Sequence, residues 1–245
     1  MKNVLLLKAG EAARPVQLSV GDYEQWFVES LTPDGCRFDI VPAHQGVPLP
    51  ASAAGYDAVM MTGSPKSVTE LEPWMERAAD FMLDAAAHGT PVLGVCFGHQ
   101  LLAHAHGARV VRNPQGREIG TVEVRLSAEG REDPLFAGLP GSFAVQATHE
   151  DIVERAPEGA TVLAGNANTA LQALAFGPRI RGVQFHPEMH PAAMRALILA
   201  RAERLEAEAP QRGYAPGERV PRLLAGILPT SAGQTLLRNF VERFT

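Results

Sequence analysis

The sequence predicts an α/β fold: an open, mostly parallel central sheet flanked by helices, together with a small antiparallel sheet. In residues 1–107, short runs rich in Val, Ile and Leu alternate with helical stretches, which is typical of parallel strands joined by crossover helices. One of these runs, residues 91–95, is apolar throughout, as in strands that are covered on both faces. After residue 108 the runs are short, separated by turn residues and partly alternating, so several are predicted to pair antiparallel.

The elements of the first half follow from two kinds of pattern. Aliphatic runs predict strands at residues 3–7, 37–43, 56–63 and 91–95. Apolar residues at helical spacing predict helices at residues 20–31, 72–89 and 98–107. In the helix at 72–89, Trp74, Ala78 and Met82 share one face, and Gly89 supplies the stop signal.

The second half is predicted to consist of short strands followed by two helices. The strands lie within residues 108–113, 120–127, 141–148, 160–165, 169–177 and 180–187. The helices lie at residues 191–209 and 231–244. Residues 210–221 are rich in Pro, Gly and charge, which fits an ordered loop and a flexible linker equally well. No boundary divides the chain, so residues 1–245 are predicted to form a single domain.

Composition and charge limit the function classes. The chain has 245 residues, of which 46% are hydrophobic and 20% are charged, an ordinary balance for a globular protein. The net charge of −5 argues against a nucleic-acid partner. No run of roughly twenty apolar residues occurs, so no membrane span is predicted. Only two cysteines, Cys36 and Cys96, are present, which is typical of a reduced, cytoplasmic protein.

No motif indicates a cofactor or a metal. The phosphate loop, the dinucleotide glycine fingerprint and the helical zinc signature His-Glu-x-x-His do not occur. The spacings of His99, His104 and His106 do not suit a shared metal-binding face. His186 and His190 are four residues apart, but the strand before them argues against a helical pair. We therefore predict neither a cofactor nor a metal ion.

Cys96 lies in the pattern Gly-x-Cys-x-Gly between a predicted strand and a predicted helix. Gly94 and Gly98 leave room for a sharp elbow that exposes the middle side chain at the carboxyl edge of the sheet, where open α/β sheets bind ligands. The first turn of the helix favours a thiolate, and the N–H of Phe97 points to where an oxyanion would form. The pattern predicts a nucleophile, with a buried structural cysteine as the alternative. Cys36 lacks this context and is predicted to be structural.

His186 is the candidate base for this nucleophile. Val183 and Phe185 mark a strand that ends at His186, and Glu188 follows two residues later. A histidine and a carboxylate at one strand end are able to act as a base and the group that orients it. The alternative is a surface histidine and glutamate at a strand end, which is a frequent arrangement.

Taken together, residues 91–103 and 182–188 resemble the class I (triad) glutamine amidotransferase family, whose glutaminase domain occurs in GMP synthase. The elbow cysteine followed by Gly-His-Gln, and the later His-Pro-Glu, carry this resemblance. Residues 60–68 resemble the glycine-rich oxyanion loop of the family, and residues 147–154 resemble the stretch whose backbone helps to hold glutamine. The resemblance implies the family's flavodoxin-like fold.

The resemblance also implies a role for each matching residue. Cys96 attacks the glutamine side-chain amide, His186 acts as base and then as proton donor, and Glu188 orients His186. The backbone N–H groups of Gly63 and Phe97 stabilise the oxyanion. The residues implied to contact the bound substrate are Ser64, Gln100, Thr148 and His149.

The implied activity is hydrolysis of L-glutamine to glutamate and ammonia through a γ-glutamyl thioester on Cys96. The family domain usually works with a synthetase that consumes the ammonia, so such a partner is implied, although no nucleotide-binding motif occurs in this chain. In the family the closing helix follows His-Pro-Glu almost directly, whereas residues 190–229 intervene here. We expect this segment to be a helical insertion that packs as an extra helix; covering the site, binding a partner or shaping a pocket are the alternatives.

Other functions remain compatible with parts of the sequence. A γ-glutamyl peptidase or hydrolase would use the same three residues on a different γ-glutamyl small molecule, so the triad does not separate it from a glutaminase. An α/β-hydrolase with a cysteine nucleophile has a similar elbow, but its acid normally precedes the histidine, unlike Glu188. A binding module with a retired site is disfavoured because all three triad residue types are present.

Overall fold

Eleven strands form two sheets in the computed structural model, which describes residues 1–245. The strands are β1 (Lys2–Leu7), β2 (Cys36–Val41), β3 (Ala58–Met61), β4 (Val92–Val95), β5 (Val110–Arg112), β6 (Glu118–Leu126), β7 (Ser142–His149), β8 (Asp151–Val153), β9 (Ala160–Gly165), β10 (Ala173–Phe176) and β11 (Ile180–Val183). The central sheet has the order β2-β1-β3-β4-β11-β10-β9-β6-β7, and β5 pairs with β8 in a separate small sheet.

One half of the central sheet is parallel and consists of β2, β1, β3, β4 and β11. Every residue of β3, β4 and β11 is buried, which explains the continuous apolar runs of β3 and β4. In β11 the one charged residue, Arg181, is buried against Asp133. In the register of β4 with β11, Val95 lies opposite Val183. The residues that follow these two strands therefore emerge at the same edge of the sheet.

The other half of the sheet is antiparallel. Strands β10, β9, β6 and β7 continue it beyond β11, and β6 forms its longest ladder with β7. The predicted architecture, a mostly parallel sheet flanked by helices with a small antiparallel sheet, is confirmed.

Nine helices accompany the sheets, and several begin at recognisable signals. They are α1 (Arg14–Val20), α2 (Tyr23–Leu31), α3 (Pro73–Ala87), α4 (Phe97–Ala105), α5 (Ala128–Glu132), α6 (Pro191–Ala200), α7 (Ala202–Ala207), α8 (Arg219–Ala225) and α9 (Ala232–Arg243). Asp22 and Gln25 form a capping box at the start of α2. Helices α3 and α6 begin at prolines, which suit the first helical position because no N–H partner is needed there.

The core has three parts, two of which cover the opposite faces of the parallel half-sheet. Alternate residues of β1 belong to different parts. Val4 and Leu6 pack with α2 and α9, whereas Leu5 and Leu7 pack with α3 and α4. The third cluster lies between α1, α2 and the helices of residues 190–229. That segment therefore packs on the rest of the fold through buried apolar side chains.

Several local features differ from the prediction. Helices α1 and α5 and strand β8 were not predicted, because such short elements show no clear period. The helix predicted at 191–209 is broken at Arg201, whose φ of −109° and ψ of 13° leave the helical region. Residues 210–221, predicted as a loop or linker, contain a 3₁₀ turn and the start of α8. The strand predicted over 180–187 ends at Val183, and His186 forms only an isolated bridge to Gln146.

Replacing Gly94 in β4 tests how closely this strand approaches α4. A Cβ at Gly94 would lie 2.5 Å from the backbone of Gly98, so we expect Gly94→Ala to lower the free energy of unfolding by about 1–3 kcal/mol. Urea denaturation measures this change. Gly226→Ala is the matched control, because the nearest neighbour of its new methyl group lies at 3.4 Å and its φ is negative. Equal stability of the two variants would contradict the close approach.

Candidate active site

Cys96 occupies a sharp elbow between β4 and α4. With φ of 51° and ψ of −97°, it is the only residue other than glycine with a positive φ. Its N–H donates to the carbonyl of Val183 at 2.8 Å, which ties the elbow to β11. Non-glycine residues in this region cost about 1–3 kcal/mol and persist only when the surrounding structure holds them there. The elbow predicted from the two flanking glycines is present.

Beneath the elbow, helix α4 packs closely against β3 and β11 at two glycines, where a larger side chain would be crowded. A Cβ at Gly98 would lie 3.0 Å from Met61 of β3, and a Cβ at Gly182 would lie 2.6 Å from Nδ1 of His99. Burial lowers the pKa of His99 to about 3, so this ring is neutral and serves as a spacer between α4 and β11. The glycines therefore set the distance between the helix and the sheet beneath Cys96.

His186 and Glu188 form a buried pair beside Cys96. Nδ1 of His186 lies 2.7 Å from Oε1 of Glu188, and both residues are almost fully buried. This contact leaves Nε2 as the free ring nitrogen. Nε2 makes no well-aligned hydrogen bond, and the ring interacts electrostatically with the Cys96 sulfur.

The groups around His186 raise the pKa of its ring. Burial lowers the pKa of His186, but the carboxylate of Glu188 and the nearby sulfur of Cys96 raise it by more, to about 10. An imidazolium beside a cysteine favours the thiolate, which is the nucleophilic form of the side chain. The arrangement is therefore able to support attack by sulfur followed by proton transfer from nitrogen.

Gly63 lies two residues after β3, next to the side chains of Cys96 and His186. A Cβ at this position would be 2.7 Å from Cε1 of His186 and 3.6 Å from Cβ of Cys96. The N–H of Gly63 makes no hydrogen bond within the protein, and the N–H of Phe97, as the first in α4, has no helical partner. The two N–H groups are the donors that sequence analysis assigned to an oxyanion.

The loop after β3 is anchored to the loop after β1. The Thr62 hydroxyl accepts from the N–H of Ala9 at 2.9 Å, and the Ser64 hydroxyl donates to the Ala9 carbonyl at 2.8 Å. Ser64 thus holds the loop in place while its side chain also borders the cavity described below. These bonds stabilise the position of Gly63 between them.

Gln184 contacts Cys96, and sequence analysis did not single it out. Its Nε2 lies 3.5 Å from the sulfur of Cys96, and its Oε1 accepts from Nε2 of Gln100 at 3.0 Å. Gln100 also donates to the carbonyl of Asp151 at 2.8 Å. The available signal was a glutamine within the apolar run before His186, where a buried polar side chain requires a partner.

A cavity of about 630 Å³ opens above the sulfur of Cys96. Six of the nine residues predicted for the site border it: Ser64, Cys96, Phe97, Gln100, Thr148 and His149. The other three, Gly63, His186 and Glu188, are buried beside it. The structure therefore brings all nine positions together at one edge of the sheet.

Thr148 and His149 take part in the site in different ways. The carbonyl of Thr148 lies 3.9 Å from the sulfur of Cys96, and its hydroxyl accepts from Arg201. The ring of His149 is engaged by Glu118 at 2.9 Å and by the carbonyl of Asp151 at 3.1 Å. Both nitrogens of His149 therefore have protein partners, and only its backbone is available to a ligand.

No group of three or more His, Cys, Asp or Glu side chains is arranged to hold a metal ion. None of the helices combines the length and the apolar character needed to cross a lipid bilayer.

Comparison with known proteins places the chain in a family. The model of the class-I glutamine amidotransferases matches residues 19–203. One subunit of the glutamine-hydrolysing GMP synthase of Saccharolobus solfataricus is 32% identical over 170 residues, which cover 69% of this chain and 85% of that protein. The GMP synthase of Wolinella succinogenes is 35% identical over 179 residues, covering 72% of this chain but 33% of that protein. The chain spans about a quarter to a third of the length of the GMP synthases of Wolinella succinogenes and Thermomicrobium roseum.

Solved structures share the fold over nearly the whole chain. A glutamine amidotransferase from Thermotoga maritima has a TM-score of 0.76 at 22% identity, covering 100% of this chain and 98% of that one. A glutamine amidotransferase from Methylobacillus flagellatus has a TM-score of 0.75 at 24% identity, covering 99% and 93%. With the elbow, the sheet order and the family match, the chain belongs to the class-I glutamine amidotransferases.

Replacing Gly63 tests whether the space beside His186 is needed. Because its methyl group would overlap the imidazole, we expect Gly63→Ala to displace the ring and to slow alkylation of Cys96 by iodoacetamide at neutral pH about tenfold or more. Gly226→Ala, which lies far along the chain and has no such contact, is the control. An unchanged alkylation rate in Gly63→Ala would refute the proposed crowding.

The protonation of His186 is open to direct measurement. Its pKa of about 10 in the folded protein lies above the value of about 6.5 in an unfolded chain, so its stabilising contribution is full below about pH 6.5 and lost as the pH rises towards 10. Cys96→Ala removes the sulfur and Glu188→Gln removes the carboxylate that raise this pKa, so NMR titration of the labelled ring should give a lower pKa in both. Cys36→Ala should leave it unchanged. Equal pKa values in all four proteins would mean that these groups do not act on the ring.

Proposed function

We propose that this protein hydrolyses the side-chain amide of L-glutamine to glutamate and ammonia through a γ-glutamyl thioester on Cys96. The observation that carries the proposal is the strained elbow, which holds the sulfur beside the buried pair of His186 and Glu188. Membership of the class-I glutamine amidotransferases supports the same reaction type.

The first half of the proposed reaction forms the thioester. The Cys96 thiolate attacks the amide carbon, and the carbonyl oxygen becomes an oxyanion near the N–H groups of Gly63 and Phe97. Removing a single donor of this kind typically costs about 2.7–4 kcal/mol of transition-state stabilisation. Protonated His186 then gives its Nε2 proton to the nitrogen of the leaving group. The C–N bond breaks, ammonia departs and the γ-glutamyl thioester remains.

The second half releases glutamate. His186, now neutral, takes a proton from water, and the resulting hydroxide adds to the thioester carbonyl. The C–S bond breaks with its electron pair on sulfur, which restores the thiolate and the imidazolium. Glu188 keeps Nδ1 of His186 engaged at 2.7 Å throughout, so that Nε2 stays directed at the reacting atoms.

The remaining predicted residues supply the substrate-binding surface in this proposal. Both hydrogen bonds of Gln100 use its Nε2, so its Oε1 is available to the amino group of the substrate. Ser64 and Thr148 contribute the walls on either side of the sulfur, and His149 contributes backbone only. No cofactor or metal takes part in the proposed reaction.

The proposal extends to a partner and to the organisation of the chain. The relative from Saccharolobus solfataricus is one subunit of a GMP synthase, which supports an ammonia-accepting synthetase as a partner here. We also propose that residues 1–245 act as one domain in which residues 190–229 are a helical insertion. Cys36 and Cys96 are free thiols, which supports action in the reducing cytoplasm.

A γ-glutamyl peptidase is the second candidate. The observation that favours it is the cavity of about 630 Å³, which has room for more than one glutamine molecule and includes Arg201 and Arg204 from the segment of residues 190–229. A peptide or conjugate attached to the γ-carbonyl would occupy the space beyond the glutamyl group. The reacting residues would be the same.

A substrate panel tests both candidates. Glutamate release is measured for L-glutamine and for γ-glutamyl peptides, and Cys96→Ala should lower turnover at least about 10⁴-fold because it removes the nucleophile. Cys36→Ala, which removes the other thiol, should stay active. A higher kcat/KM for a peptide than for glutamine would identify a peptidase. Turnover that persists in Cys96→Ala would overturn both candidates.

A further inference from the structure

The cations that border the cavity differ in their partners. They are Lys66, Arg112, Arg117, Arg201 and Arg204. Lys66 pairs with Glu72. Three of the arginines pair with Glu150: Arg112, Arg117 and Arg204. Arg201 has no carboxylate within 4.0 Å. It is the one cation in the cavity wall whose charge the protein leaves unpaired.

Arg201 lies close to the nucleophile. Its Nη1 donates to the hydroxyl of Thr148, and the carbonyl of the same threonine lies 3.9 Å from the sulfur of Cys96. Arg201 and Cys96 border the same cavity. Thr148, which contacts both, thus places the guanidinium and the sulfur at one end of the cavity.

The free surface of Arg201 suits a carboxylate. A guanidinium carries five N–H donors in a planar fork, and the only hydrogen bond that the Arg201 side chain makes uses Nη1. Carboxylates bind such a fork through two parallel hydrogen bonds. Because Arg201 is half-buried and unpaired, an incoming carboxylate would recover interactions that the protein itself does not supply.

We propose that Arg201 binds a carboxylate of the γ-glutamyl substrate, an inference that rests on the proposed function. Two carboxylates have the required chemistry: the α-carboxylate of the glutamyl group itself, and a carboxylate on the leaving group of a γ-glutamyl peptide. Arg201 follows the last residue of α6, within residues 190–229, so this segment supplies a specificity-determining side chain as well as packing.

Matched substrates with and without each carboxylate test the proposal. L-Glutamine is compared with L-glutaminamide, and γ-glutamylglycine with γ-glutamylglycinamide. Arg201→Gln should lower kcat/KM for the substrate with the bound carboxylate about 10- to 100-fold, mainly through KM, and leave its amide counterpart almost unchanged. Arg201→Lys should restore part of the loss, because lysine keeps the charge but not the fork. Arg195→Gln is the control, since Arg195 is exposed on α6 and has no ion pair.

The outcomes separate the two carboxylates and the structural alternative. A loss of kcat/KM confined to L-glutamine assigns Arg201 to the α-carboxylate. A loss that is also seen equally with both γ-glutamylglycine compounds gives the same assignment, because both of them carry that carboxylate. A loss confined to γ-glutamylglycine assigns it to the leaving group. Equal losses on all four compounds would mean that Arg201 only supports the fold, and no loss would mean that it does not meet the substrate; either result overturns the inference.

A binding measurement keeps this test independent of turnover. Calorimetry compares Cys96→Ala with Cys96→Ala/Arg201→Gln for L-glutamine and γ-glutamylglycine. Weaker binding in the double variant supports the inference even if the wild-type protein turns over none of the compounds, in which case the proposed function alone fails. Equal affinity in the two variants, or no binding to either, overturns the inference.

Discussion

The parallel pairing of β4 with β11 is the constraint on which the site depends. These strands are separated in sequence by more than eighty residues, yet their register places Val95 opposite Val183. Cys96 leaves one strand and His186 follows the other, so the sheet alone brings sulfur and imidazole to one edge. The backbone hydrogen bonds of these two buried strands already bring Cys96 and His186 close together. The other contacts at the site, such as those of the Gly63 loop and Gln184, adjust their positions. A slip of one residue in this register would turn the side chains of one strand to the opposite face.

Much of this arrangement could be predicted because its signals are local. The apolar run of β4 and the glycines on either side of Cys96 are adjacent in sequence, and they define a buried strand, a turn and a helix without knowledge of anything else. The spacing of His186 and Glu188 is likewise short enough for one to orient the other. The order of the strands was harder to derive, because the antiparallel half of the sheet is built from short runs whose pairing depends on distant partners.

The parts that escaped prediction depend on tertiary contacts. Arg201 looks like any arginine on the polar side of a long amphipathic helix; only the break in that helix and the packing of α6 on α1 bring it to the cavity. Glu150 is similar, since it pairs with Arg112 and Arg117 from one stretch of the chain and with Arg204 from a distant one. Ionic side chains carry no sequence period that identifies their partners. Polar recognition groups in this protein are therefore the least predictable features, although the apolar framework beneath them is the most predictable.

The left-handed backbone of Cys96 sets stability against reactivity at a single residue. For the fold alone, glycine would be the better choice at position 96, because glycine adopts positive φ without strain. The protein instead keeps a side chain there, and the surrounding close packing must hold it against its own conformational preference. The energy stored in the elbow is thus a cost to folding, so raising the thermodynamic stability of this protein and keeping a cysteine side chain at this elbow are opposed design aims.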